Sequence, residues 1–150
     1  HGLPENKIKK GDPYQWQVEQ SVKSLVKKLA IKNLNYILSY QSRVGPLKWI
    51  GPSTEKIIKN EAIKQKIINV VPVAFVSEHS ETLVELDIEY RKLAEENGSK
   101  EYIRVPAVTV NSDFINSLTS SILLASNGGR FTSSIKCSEK HTKCPRFQNL

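Results

Sequence analysis

A run of ten residues, 67–76, consists almost entirely of apolar side chains, most of them β-branched. This composition and length are typical of a central strand that is buried on both faces of a parallel sheet. Apolar residues recur at helical spacing before the run, from Asp12-Pro13 to Leu29, and again after residue 79. Because parallel strands are joined by helical crossovers, the pattern predicts an α/β unit whose parallel sheet is flanked by helices.

Further segments complete the predicted order of elements. We predict a strand over 34–41, a helix from Ser53 or Thr54 to about residue 65, a shorter or edge strand over 102–110 and a last helix over 112–125. The helix after residue 79 ends at Asn97-Gly98, and its apolar stripe consists of Leu83, Leu86, Tyr90, Leu93 and Ala94.

The length of 150 residues fits one domain. We assign residues 1–127 to an α/β lobe and residues 128–150 to a polar C-terminal tail. The chain contains no methionine and begins at His1, which predicts a processed product or a piece of a longer protein. No apolar run approaches the roughly 18 residues that cross a bilayer.

The net charge of +7 is unevenly distributed. Residues 68–98 carry seven acidic and two basic groups, a local charge of −5, whereas the flanking segments are basic. This acidic block argues against a continuous nucleic-acid surface and predicts a separate cation site. A nucleotide- or nucleic-acid-binding module ranks third among the functions considered, because no glycine-rich phosphate loop follows a strand.

Three loops, 1–12, 43–54 and 76–81, follow predicted strands or open the chain, and ligands of α/β sheets bind at such loops. His1 begins the first loop, in the sequence His-Gly-Leu-Pro. An imidazole titrates near neutrality and can take a proton or bind a metal, although a loop histidine without function is the simpler interpretation of this motif alone.

The third loop contains His79 between Glu78 and Glu81. An imidazole beside carboxylates suits a divalent transition metal, but the same residues also suit a capped helix start. Glu81, Glu85 and Glu89 then share one helix face. They form either a solvated face or, in a helix widened to π geometry, a file of carboxylates for a cation.

The second loop places Trp49 between two Gly-Pro steps, where its ring could meet a flat ligand or cover the sheet edge. Arg43 or Lys48 in the same loop could pair with a ligand carboxylate. In the tail, Cys137 and Cys144 are separated by six residues that include His141. Without a second pair, this spacing favours ordinary cysteines over a zinc site or an iron–sulfur cluster.

Taken together, four motifs resemble the signature of ferrochelatases: residues 1–4 with Gly-Asp-Pro-Tyr at 11–14, Gln-Ser-Arg-Val-Gly-Pro at 41–46, Trp-Ile-Gly-Pro at 49–52, and 72–90. Their order and spacing extend over about residues 1–125. The chain resembles the C-terminal half of a two-lobed, Rossmann-like ferrochelatase, with the N-terminal lobe absent.

The resemblance implies insertion of ferrous iron into protoporphyrin IX to make protohaem, the last step of haem synthesis. It assigns catalysis to His1, His79 and Glu81. It assigns the metal path to His1, Glu81, Glu85 and Glu89, and it places Trp49 and Phe75 beside the porphyrin ring; we add Arg43 to these porphyrin contacts. A non-catalytic metal- or tetrapyrrole-binding remnant is the alternative.

The resemblance also implies partners and a location. The implied partners are porphyrin, iron and the missing lobe, and nucleic acid is not expected among them. The implied location is the cytoplasm, with a peripheral contact at the inner face of the membrane. No organic cofactor is required, since iron is a substrate. Some relatives bind a [2Fe–2S] cluster through a C-terminal Cys-Pro-x-Cys motif. Here Phe147 replaces the second cysteine after Cys144, so no cluster is expected.

Overall fold

The computed structural model describes residues 1–41, 45–128 and 137–144. Its elements are α1 (Glu5–Lys9), α2 (Tyr14–Leu29), α3 (Thr54–Ala62), β1 (Ile67–Val70), a π-helix (Glu81–Glu89), α4 (Tyr90–Glu96), β2 (Glu101–Arg104) and α5 (Ser112–Ser126). Strands β1 and β2 pair in parallel, with Ile67 opposite Glu101 and Val70 opposite Arg104. The predicted α/β class, a parallel sheet with flanking helices, is confirmed.

Helix α2 begins where the sequence predicts. The Asp12 carboxylate accepts a hydrogen bond from the Tyr14 N–H at 2.9 Å, which satisfies one of the donors left open at a helix start. The helix ends at Leu29 because Ala30 adopts a left-handed conformation with φ of 52°. Among the helices of the described residues, none combines the length and apolar composition needed to cross a bilayer.

The hydrophobic core lies between the sheet and three helices: α3, which precedes β1, and the π-helix and α4, which follow it. It consists of Ile58, Leu86, Tyr90, Ala94 and Tyr102. The Tyr102 hydroxyl donates to the Leu86 carbonyl at 2.8 Å, so the one polar atom of that ring is satisfied inside the core. This core joins α3, the π-helix, α4 and β2 into one packed unit.

The π-helix changes which residues face the core. Leu86, Tyr90 and Ala94 are buried as predicted, but Leu83 is 48% exposed and Thr82 is fully buried in its place. A π-helix has more residues per turn than an α-helix. Thr82, four positions before Leu86, therefore stays on the buried face, and Leu83, three positions before it, rotates away. The predicted stripe is therefore wrong at Leu83.

The predicted strands are longer than the observed ones. Residues 34–41 form no ladder, apart from an isolated bridge between Tyr40 and Ser53, so that prediction is wrong. Only four residues of 67–76 are in β1, and Ile67 is 54% exposed rather than buried on both faces. The physical reason is that β1 has one neighbouring strand in the described part of the chain, and a second edge without a partner leaves its side chains uncovered.

Two boundaries and one additional helix also differ from the predictions. Strand β2 ends before Pro106, whose ring nitrogen cannot donate to a ladder. Helix α3 ends at Ala62 instead of residue 65. The first loop contains a five-residue helix, α1, that the sequence pattern did not predict.

The described part of the tail, 137–144, packs against the turn between α1 and α2. The Lys143 N–H donates to the Gly11 carbonyl at 3.2 Å, and the His141 ring lies 5.4 Å from that of Trp16. Gly11 has a φ of +90°, and a Cβ there would lie 2.3 Å from the Thr142 hydroxyl oxygen. Glycine is therefore required at this turn both for its backbone conformation and for close approach of the tail.

Candidate active site

The His1 loop is fixed by backbone hydrogen bonds to the two segments beside it. The Gly2 N–H donates to the Gln41 carbonyl at 3.1 Å, and the Ile50 N–H donates to the Leu3 carbonyl at 2.9 Å. The Tyr14 hydroxyl donates to the His1 carbonyl at 2.8 Å. These bonds hold the exposed His1 at the end of segment 34–41 and beside the second loop.

Phe75 lies next to both imidazoles of the site. Its ring centroid is 6.2 Å from that of His1 and 4.7 Å from that of His79. His1 and His79 make no direct ring contact with each other among the described residues. The structure therefore brings together two histidines that are 78 positions apart in the chain, through an aromatic ring that touches both.

His79 and Glu81 form a close pair. The His79 Nδ1 and the Glu81 Oε2 are within hydrogen-bond distance, and the Ser80 hydroxyl donates to the same carboxylate at 2.9 Å. The His79 backbone is held in turn by Thr82, whose hydroxyl oxygen accepts from its N–H and whose hydroxyl donates to its carbonyl, both at 3.0 Å. The first turn of the π-helix thus orients the imidazole.

Glu85 is held at both carboxylate oxygens. The Tyr90 hydroxyl donates to one oxygen at 2.7 Å, and the Gln41 amide donates to the other at 3.0 Å. Gln41 is the residue whose carbonyl also accepts from Gly2. One glutamine therefore links the His1 loop to the carboxylate of the π-helix.

Charges and hydrogen bonds at this edge of the sheet also act on the titration of Glu81 and of the His1 α-amino group. Hydrogen bonds from the Ser80 hydroxyl, from the backbone N–H of Glu81 itself and from His79 lower the pKa of the Glu81 carboxyl. Burial lowers the pKa of the His1 α-amino group, while the negative charges of Glu85 and Glu81 oppose that shift. Both carboxylates are thus close enough to His1 to act on its charge.

A second cluster lies directly behind His79. The Arg104 guanidinium pairs with Asp87 of the π-helix and, at 2.5 Å, with Glu78. Glu78 also accepts from the Ala107 N–H at 2.8 Å. The Thr82 hydroxyl, the Ala107 N–H and Arg104 lower the pKa of Glu78 to about 2. Glu78 is therefore an anchor for Arg104, and the expectation that it caps the helix is wrong.

The remaining predicted site residues are placed differently. Trp49 packs against the His1 loop, where its Cε3 lies 3.4 Å from the position a Cβ on Gly2 would take. Glu89 ends the π-helix as an exposed residue. Arg43 lies outside the described residues. Within the described ranges, no group of three or more His, Cys, Asp or Glu side chains is arranged to hold a metal ion.

Sequence reasoning missed three side chains that organise the site: Gln41, Tyr90 and Arg104. Gln41 begins the second quoted motif, but nothing about its position predicts a bond to Glu85. The stripe identified Tyr90 as a core residue, although a buried tyrosine needs a partner for its hydroxyl. Arg104 is the single charged residue in 102–110, and a charge in an apolar strand signals a buried partner.

The fold and the site define a chelatase-like α/β lobe, with imidazoles, carboxylates and aromatic rings gathered at the carboxyl edge of a parallel sheet. The family model for ferrochelatase matches residues 1–125. Over 97% of the present chain, the sequence is 59% identical to the ferrochelatase of Pelagibacter ubique. Over 100% of the present chain, it is 47% identical to the ferrochelatase of Rickettsia bellii. The chain belongs to the ferrochelatase family.

The chain spans less than half of the curated relatives that it matches. The matched region is 43% of the Pelagibacter protein and 44% of the Rickettsia protein. The resemblance to the C-terminal half of such a protein is consistent with these shares.

Proposed function

We propose that this chain provides the C-terminal half of a site that inserts ferrous iron into protoporphyrin IX to form protohaem. The observation that carries the proposal is the meeting of His1, Phe75 and the His79–Glu81 pair at one edge of the sheet. Membership of the ferrochelatase family supports it. Residues 1–127 would form the lobe, 128–150 the tail, and an N-terminal lobe the other wall of the cleft.

The reaction exchanges protons for a metal ion. Fe²⁺ enters the macrocycle as two pyrrole N–H protons leave, so the site has to accept two protons and release the metal from its water. A neutral imidazole with a pKa near the working pH suits the first task. In this proposal His1 takes the pyrrole protons, since its side chain is exposed at the mouth of the site.

The hydrogen bond between His79 and Glu81 would determine which nitrogen of the His79 imidazole is basic. A carboxylate that accepts a hydrogen bond from Nδ1–H leaves Nε2 as the basic nitrogen of the ring. Because the hydrogen bonds to Glu81 lower its pKa, its carboxyl stays ionised near neutral pH. The pair is thus suited to take up a proton at His79 or to hold the incoming cation.

The carboxylates of the π-helix would form the path of the metal and the protons. Glu81 lies at its inner end beside His79, Glu85 is oriented by Gln41 and Tyr90, and Glu89 is exposed at the outer end. Carboxylates suit divalent cations and relay protons. Iron is the substrate here, so neither an organic cofactor nor a [2Fe–2S] cluster enters the proposal.

The apolar wall would hold the macrocycle. Phe75 contacts both imidazoles, and Trp49 packs on the adjacent loop. Arg43 would pair with a propionate of the porphyrin. Porphyrin is apolar and membrane-derived, so we extend the proposal to a cytoplasmic protein that touches the inner membrane face peripherally and does not bind nucleic acid.

A chimaera tests the function. The matched 43% of the Pelagibacter ferrochelatase is replaced by this chain, and formation of zinc protoporphyrin is followed by fluorescence. We expect chelatase activity within about tenfold of the parent enzyme, a loss of about 1.4 kcal/mol or less in transition-state stabilisation. A folded chimaera without activity, beside an active parent, would favour the alternative of a non-catalytic remnant.

Two variants of the chimaera test the residues. We expect His1→Ala to abolish insertion without changing the unfolding midpoint, and a shifted midpoint would make His1 structural.

We expect Glu81→Gln to lower kcat by at least about 100-fold, the scale of a lost acid–base group, with little change in porphyrin affinity. Lys92→Ala, which removes an exposed ion pair with Glu96, is the matched control and keeps full activity.

A further inference from the structure

Gln41 is a buried polar residue at the candidate site, and the path proposed for the metal and the protons does not pass through it. The residue is 8% exposed and lies where segment 34–41 ends. A buried amide costs stability unless its polar groups are hydrogen-bonded, so its partners hold it in one position. The partners of Gln41 therefore indicate what this residue does.

Gln41 bonds to both sides of the site. Its backbone carbonyl accepts a hydrogen bond from the Gly2 N–H at 3.1 Å, one residue from His1. Its side-chain amide donates to Oε2 of Glu85 at 3.0 Å. Because one residue makes both bonds, a shift of the His1 loop also shifts the donor that holds Glu85.

The core holds Glu85 from the other side. The Tyr90 hydroxyl donates to Oε1 of Glu85 at 2.7 Å, and Tyr90 belongs to the hydrophobic core. The two residues are five positions apart, which is the spacing that hydrogen bonds join in a π-helix, so both lie near one face of it. Glu85 therefore joins the core to the His1 loop, with Gln41 as the connecting residue.

The two bonds also fix the direction of the Glu85 carboxylate. The side chain is half-buried, and donors on both oxygens limit its rotation before a proton or a cation arrives. Loss of a residue that orients a metal ligand commonly lowers metal affinity or activity 10- to 100-fold. A loss of this size is large enough to measure for Gln41.

We propose that Gln41 is a positioning residue for metal insertion, which acts through Glu85 and fixes that carboxylate relative to the His1 loop. The inference rests on the proposed function, in which His1 takes the pyrrole protons and Glu85 belongs to the path of the metal. Groups that act on one substrate lose rate when their relative position changes by about 1 Å. Gln41 therefore controls the rate through the two groups that it connects.

A double-variant comparison in the Pelagibacter chimaera tests the proposal. Gln41→Met keeps the length of the side chain and removes the donor, so we expect kcat to fall at least about tenfold with little change in KM for porphyrin. Because Gln41 acts through Glu85, adding Gln41→Met to Glu85→Met should change kcat by less than about twofold. Gln15→Met, which removes a glutamine–glutamate bond on α2, is the matched control and keeps full activity.

Amide exchange measures the same link without iron or porphyrin, so failure of this inference is distinct from failure of the proposed function. The Gly2 N–H should exchange at least about fivefold faster in Gln41→Met and at an unchanged rate in Gln15→Met. Glu85→Met should show the same acceleration because it removes the acceptor. Glu85→Gln keeps an acceptor oxygen and should show none.

The proposal is overturned if the kcat losses of Gln41→Met and Glu85→Met multiply in the double variant, or if Gly2 exchanges equally in all variants. In a chimaera without activity, the exchange of Gly2 alone decides between the two results. Should Gln41→Met lack a cooperative unfolding transition, the two Glu85 variants decide. Faster Gly2 exchange in Glu85→Met than in Glu85→Gln supports the proposal, and equal exchange overturns it.

Discussion

Arg104 is a cation with a side chain only 9% exposed, and it is held by the carboxylates of Glu78 and Asp87. Replacing Arg104 leaves two half-buried carboxylates close together without a counter-charge. We expect Arg104→Met to lower the free energy of unfolding by about 3 kcal/mol, measured by urea denaturation. Glu78 directly precedes His79, so the loss should also disorder the start of the π-helix.

Two variants separate charge from packing at Arg104. Lys92→Ala, at an exposed pair, should cost no more than about 0.5 kcal/mol. Adding Glu78→Gln and Asp87→Asn to Arg104→Met removes the unpaired charges, so we expect part of the stability to return. An Arg104→Met protein as stable as the unsubstituted chain would contradict the assigned role.

Glu78 makes stability dependent on pH in the acid range. Its pKa is lowered from 4.5 to about 2, so the folded state favours the carboxylate. The stabilisation is fully present above about pH 4.5 and is lost as the pH falls towards 2, because protonation is then favoured in the unfolded chain first. We expect the difference in unfolding free energy between the protein and Glu78→Gln to be constant above about pH 5 and to shrink as the pH falls from about 4.5 to 3.

The matched control for this titration is Glu78→Asp, which keeps an ionisable carboxyl at the same position. We expect its unfolding free energy to retain the acid-dependent slope that Glu78→Gln loses. Parallel pH profiles for the protein and Glu78→Gln would show that Glu78 titrates alike in the folded and unfolded states.

Segment 137–144 is an element held in place by few contacts, and its two cysteines are adjacent in space. Their sulfur atoms lie 3.0 Å apart without a disulfide, and Cys144 is buried. We expect oxidised glutathione to convert them to a disulfide with release of two glutathione thiols, since the sulfurs need to approach by only about 1 Å. Mass spectrometry should record a loss of two hydrogens.

This cross-link should stabilise the docked segment. Closing a loop of this length is worth about 2 kcal/mol in the chain-entropy account, so the oxidised protein should unfold at higher urea concentration. Cys137→Ser is the matched control and should retain a single thiol without any gain. Accumulation of a stable mixed disulfide with glutathione would mean that the two sulfurs do not meet.

The elements also show what sequence can predict. The helices of 14–29 and 112–126 follow from periodicity and from side-chain caps such as Asn111, whose oxygen accepts from two backbone N–H groups. The length of β1 cannot be predicted in this way. Composition shows that a segment prefers to be a strand, but the neighbouring segments decide how much of it pairs. The displacement of Leu83 likewise depends on a π register that local propensity does not encode.

The site divides in the same way. The resemblance to ferrochelatases leads to the expectation that His1, His79 and Glu81 converge on one cleft; in the structure Phe75 contacts both imidazoles, and Glu81 pairs with His79. The hydrogen bonds to Glu85 depend on the directions of the side chains that donate them. Gln41 is 44 positions away from Glu85 in the chain, and Tyr90 is 5 positions away. Such contacts are set by packing, so they become visible only in the folded chain.

At the scale of the whole molecule, apolar surface is poorly covered. Among the described residues, 11 hydrophobic side chains are buried and 23 large ones are exposed. Burial of apolar area is the dominant favourable term in folding, so we expect an unfolding free energy of at most about 5 kcal/mol for this chain alone. Urea denaturation measures it, and a value above about 10 kcal/mol would contradict this estimate.

The ring of Phe75 has one more consequence for how a metal could be handled. Two imidazoles bound to the same ferrous ion would hold it tightly, and tight binding would slow the release of the ion. A phenyl ring has no lone pair to offer, so Phe75 adds no ligand to the two imidazoles that it contacts. In the proposed site, Phe75 would therefore add an apolar surface beside the imidazoles without strengthening the binding of iron.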